Sequence, residues 1–198
     1  MPQMRYRHWR TLTLVVLSLA VGSACNHPID RASSDPPSST PADARHDYER
    51  HIRRLSAKAR PADSTASWRA LKAAGTDAFP ALIAHFRDRA IAAESLQGAT
   101  LNPSTVGDAC FDLIQMQIEG AWPKSLEDFH VLTPENTREW LAAHAGLTLD
   151  EMRRVASERA VARAEAALAA EPSKRSLQKA VAYLKERNRE LATGPESR

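Results

Sequence analysis

The stretch GTDAFPALIAHFRDRA, residues 75–90, decides the fold. Phe79, Leu82, Ile83, Phe86 and Ala90 recur at the three- and four-residue spacings that line one face of an α-helix. Pro80 falls in the first turn, where a missing N–H costs nothing, and Gly75 marks the break before it. A single amphipathic helix cannot bury its own stripe, so the flanking segments must cover it.

Working outward, those segments read the same way. Residues 43–58 predict a helix with Tyr48, Ile52 and Leu55 on one stripe; residues 64–74 predict another, entered through Pro61 and carrying Trp68 and Leu71 inward. Residues 95–105 read as a loop. Thr105 to Glu119 follows as a helix with Val106, Cys110, Leu113, Ile114 and Ile118 mostly on one side, ended by Gly120 and Pro123. Thr133-Pro134 supplies a cap and a first-turn proline for a helix carrying Trp140 and Leu141, and Gly146 stops it. Thr148 and Glu151 form a capping-box pattern before a long helix over 149–170. Pro172 breaks that helix and Ser173 can cap the last one, with Leu177, Val181, Leu184 and Leu191 as its stripe. No alternating stretch is long enough for a strand. The expectation is an all-α domain over 43–194, a single bundle or short solenoid of about seven helices.

The pair WRALKAAGTDAFPALIAHFRD (68–88) and TVGDACFDLIQMQIEG (105–120) resembles the helical hairpins of HEAT-type proteins. No second copy recurs at their period of roughly 40 residues. That resemblance implies stacked hairpins and a binding surface in place of a catalytic motif.

At the N-terminus, MPQMRYRHWR carries Arg5, Arg7 and Arg10 with no acid, and TLTLVVLSLAV over 11–21 is uncharged and largely apolar. This is a signal-peptide pattern, and the run is shorter than the roughly 20 residues of a membrane-crossing helix. Gly22-Ser23-Ala24-Cys25 then resembles the lipobox of bacterial prolipoproteins, although Gly22 stands where the family has a larger aliphatic residue. The resemblance implies cleavage between Ala24 and Cys25, lipidation of Cys25 and membrane attachment through that anchor. Asn26 in place of aspartate then favours the outer membrane, facing the periplasm, in a Gram-negative envelope. An ordinary secretory signal cleaved nearby is the alternative, and either one exports the chain. Residues 26–42, rich in Pro and Ser, are expected to form a disordered tether reaching roughly 20 Å as coil or about 50 Å extended.

The net charge of +3 hints at an anionic partner. Removing residues 1–24 leaves 24 basic against 24 acidic residues, and with 6% aromatics there is little to support nucleic-acid binding. Residues 61–149 hold six basic and eleven acidic residues, whereas 43–60 and 150–198 are each +3. An acidic central surface between basic helices would suit recognition of a protein partner; solvated helix faces that cancel one another are the plainer account.

Chemical motifs are sparse. Asp108 and Asp112, four apart on one helix, could form an acid/base or cation pair, and with Glu119 they are the candidate surface acids; solvated carboxylates are the default. His46 and His51 have poor spacing for a shared metal, and no cofactor or metal is expected. Cys110 reads as a packed core thiol, and Trp68, Trp122 and Trp140 as core side chains or, alternatively, the lining of a groove. These residues lead to a lipid-anchored, non-catalytic envelope protein that binds another protein, of immunity or scaffold type. An enzyme or ligand-binding protein acting on cell-wall material is the alternative, favoured if Asp108, Asp112 or Glu119 converge in an acidic cleft.

Overall fold

The computed structural model describes residues 41–96 and 103–193. The expected signal segment, the expected lipidation site Cys25 and the expected tether as far as residue 40 lie outside the described residues. Among the described residues seven α-helices follow in order: α1 (Pro41–Arg53), α2 (Pro61–Ala74), α3 (Phe79–Ala84), α4 (Val106–Ile118), α5 (Thr137–Ala143), α6 (Leu149–Ala170) and α7 (Arg175–Thr193). Short 3-10 turns span Gly75–Ala78, Glu94–Leu96 and Lys124–Phe129. The domain is all-α, as the apolar periodicity predicts.

Local chemistry sets most helix ends. Pro61 opens α2, and Gly75 closes it at φ 62°, a left-handed conformation that a side chain would strain. Reciprocal capping boxes start α4, through Thr105 and Asp108, and α6, through Thr148 and Glu151. Those bonds from Thr148 hold the Glu151 carboxyl below its ordinary range.

Helix α4 is the centre of the core, packed by α1, α2, α3 and α6. Cys110 and Ile114 on it are wholly buried, as are Ile52 of α1, Leu71 of α2 and Leu82 of α3. Gly107 lets the chain after α3 approach closely: a Cβ there would lie 2.5 Å from the Phe86 carbonyl oxygen. On the other side, α6 packs along α7, with Ala156, Ala160 and Ala164 buried on the one and Ala180, Val181 and Leu184 on the other. The alanines, four apart, lie on one face of α6.

Several expected boundaries move: α1 and α2 start at Pro41 and Pro61 instead of 43 and 64, and four others also shift. Helix α1 ends at Arg53 instead of 58, because the backbone beyond it pairs elsewhere: Ala93 N–H donates to Leu55 and Ala57 N–H to Ile91. Helix α3 stops at Ala84 instead of running to Ala90; His85 is drawn sideways by Glu49, at 2.7 Å, and Gly107 N–H takes the Asp88 carbonyl. Thr133 and Asn136 exchange the expected capping bonds, but they form a turn, and regular α5 begins only at Thr137. Helix α7 begins at Arg175, so Lys174, not Ser173, holds the capping position, and its carbonyl accepts from Leu177 and Gln178.

Candidate functional site

The three candidate surface acids have three different fates. Asp108 is exposed, and one of its carboxylate oxygens accepts the Thr105 N–H at 2.9 Å. Asp112 is 6% exposed and Glu119 is 2% exposed, so neither belongs to the surface. Helix geometry accounts for their burial. Asp108, Asp112, Gln115 and Glu119 repeat at intervals of four, three and four, which forms one polar stripe along an otherwise apolar helix. Residues 130–132 lie over the end of this seam. The Gln115 amide donates to the Leu132 carbonyl, and Glu119 receives the N–H groups of Val131 and Leu132.

Glu119 is therefore an organising carboxylate. Its second oxygen accepts from His130 Nδ1 at 2.7 Å, and the His130 ring stacks on Trp122 with centroids 4.4 Å apart. Arginines of α6 and α7 grip the surrounding backbone: Arg153 bonds the Gln117 carbonyl, Arg187 that of Glu119, and Arg163 that of His130. Cations at the C-terminal end of α4 also oppose its helix dipole. With both oxygens engaged, Glu119 is unsuited to proton transfer with a ligand.

Asp112 is different. Its Oδ2 is buried with no hydrogen-bond partner among the described residues. Burial, with the Asp108 carboxylate one turn away as a smaller contribution, raises its carboxyl to about 7. Hence the two aspartates share a helix face but not an environment.

The open surface feature lies between α3, the start of α4, and α5. A cleft of about 660 Å³ is lined by Ile83, Phe86, Arg87, Arg89, Asp108 and Arg138, with Pro134 and Glu135 at its edge. Three of the six basic residues of 61–149 converge here, so the central surface is not uniformly acidic. Next to it, an apolar groove of about 520 Å³ is floored by Phe79, Ile83, Leu141 and Met152. Ile83 and Arg138 line both, so the two adjoin in one depression of the surface, apolar on one side of these residues and charged on the other.

The remaining sequence candidates occupy the core or its margin. Trp68, Trp122 and Trp140 are all buried; Trp140 stacks on His144, beside a cavity of about 230 Å³ that also touches Arg159. Burial pushes the Cys110 thiol far up, and a thiol held protonated is a poor nucleophile. His51 bonds Ser67, and burial lowers its affinity for a proton. No group of three or more potential metal ligands occurs among the described residues, and no helix there is long and apolar enough to cross a membrane. The arginine-lined cleft escaped the sequence reading because Arg87 and Arg89 follow α3 whereas Arg138 comes from α5. Compared with known proteins, the chain matches no family model, no characterised sequence and no solved structure.

Proposed function

We propose that this chain is a lipid-anchored, non-catalytic envelope protein whose helical domain binds another protein, as an immunity-type or scaffold lipoprotein does. The anchor rests on the basic, apolar and small-residue pattern ending at Cys25. The binding role rests on one observation. The carboxylates that a cell-wall-active enzyme would have drawn on do not converge: Asp108 caps α4, Asp112 is buried, and Glu119 has both oxygens engaged by His130, Val131 and Leu132. What the surface offers instead is an open depression with an apolar floor and an unpaired basic margin, the composition of a recognition surface. An outer-membrane position facing the periplasm is part of the same proposal.

The test is affinity purification of the full chain from cross-linked envelope extracts. A single protein recovered in stoichiometric amount is the expected result. Turnover of purified peptidoglycan fragments, with no stoichiometric partner, would replace this proposal with the cell-wall alternative.

A further inference from the structure

We infer that the depression between α3 and α5 receives a segment of the partner protein that seats an apolar side chain on the groove floor and an adjacent carboxylate against Arg87, Arg89 and Arg138. This inference deepens the protein-binding proposal and rests on it.

Charge complementarity carries the choice of occupant. None of these three guanidinium groups has an ion pair or hydrogen bond among the described residues, and all three residues are exposed. Other exposed arginines, Arg53, Arg54 and Arg69 among them, also lack an ion pair among the described residues; what sets Arg87, Arg89 and Arg138 apart is that they gather in one cleft beside an apolar groove. Two acids share the cleft. One Asp108 oxygen accepts the Thr105 N–H and the α4 dipole favours its negative charge, so the cleft sets three cations against the two carboxylates of Asp108 and Glu135 and keeps a net positive charge. A cluster of unpaired arginines beside apolar surface fits a carboxylate with an apolar neighbour, because arginine offers a planar fork of donors and is weakly hydrated.

Openness selects a peptide over an acyl chain. Pro80, Ala142 and Ala145 on the groove wall are exposed, and Ile83 and Leu141 are half-buried. A lipid tail laid there would keep much of its surface in water, whereas a protein segment brings the rest of its own domain to cover the site. The shared Arg138 fixes the register: the apolar residue and the carboxylate must be near neighbours along the bound segment.

A displayed library of short linear peptides, panned on the full chain, tests this. Enriched sequences should place Asp or Glu next to Leu, Ile, Phe or Met. The synthetic peptide from the best clone should bind at least about tenfold more weakly to R87E/R138E, and progressively more weakly as salt is raised. Unchanged circular dichroism of that variant keeps the comparison interpretable. Enrichment of peptides without acids, equal binding to both proteins, or no enrichment while decanoate binds the groove would overturn the inference. Recovery of the same stoichiometric partner by wild type and R87E/R138E would sink the groove assignment but leave the binding function intact. Loss of any partner from both would remove the function itself.

Discussion

Arg187 of α7 donates its Nη2 to the carbonyl oxygen of Glu119 at 2.7 Å, across 68 positions of sequence. This bond ties the α6/α7 hairpin to the C-terminal end of the core helix. Gly120 beside it has φ +76°, a conformation that a side chain would strain, and a Cβ there would also push against that same nitrogen. Gly120→Ala should destabilise the domain by about 2 kcal/mol, from left-handed strain plus displacement of the guanidinium. Repeated in an Arg187→Ala background, the cost should fall by about 1 kcal/mol, because the clash is then absent. Urea unfolding of the four proteins measures it; equal costs in both backgrounds would mean that the contact carries no energy.

Glu119 is the polar hub of the loop that follows α4. Glu119→Ala strips the Val131 and Leu132 N–H groups and His130 Nδ1 of their acceptor, and should cost about 3 kcal/mol. A fall in the urea midpoint would register the effect. A midpoint like wild type would show that this loop is held by other contacts.

The pH dependence of stability should report Asp112. Its folded value of about 7 lies above the ordinary 3.8, so the folded state holds a proton that the unfolded chain has already lost across that window. Stability therefore falls as pH rises from about 4 to 7, by up to about 1.4 kcal/mol per unit. Asp112→Asn should flatten this decline and raise the thermal midpoint at pH 7.5. Identical slopes in the two proteins would assign the decline to another group.

Cys25→Ser addresses the anchor separately from the domain. The full chain expressed with labelled palmitate should incorporate label, whereas C25S should not and should leave the membrane fraction. Labelling of the variant would refute the lipobox assignment.

Local rules account for what was legible in the sequence. Pro61, Gly75 and the Thr148–Glu151 box act within a turn, so α2 and α6 end or begin close to where those residues predict. Helix α3 obeyed distant partners instead: its run was cut by Glu49 reaching His85 and by Gly107 admitting the Phe86–Asp88 backbone. The stripe of Asp108, Asp112, Gln115 and Glu119 was visible as a period, but whether such a stripe faces water or a covering segment depends on residues 130–132, which no local pattern places. The cleft was less legible still, since it exists only when α5 brings Arg138 beside Arg87 and Arg89.

A protein partner is expected to occupy this depression. Site-specific photo-cross-linking in intact cells tests it most directly, with benzoylphenylalanine in place of exposed Ala142 on the groove wall and, as a control, in place of exposed Lys179 on α7. One discrete protein adduct from position 142, absent from position 179 and lost when Arg87 and Arg138 are changed to glutamate, is the predicted result. No adduct from position 142, or one that survives the charge reversal unchanged, would contradict the account.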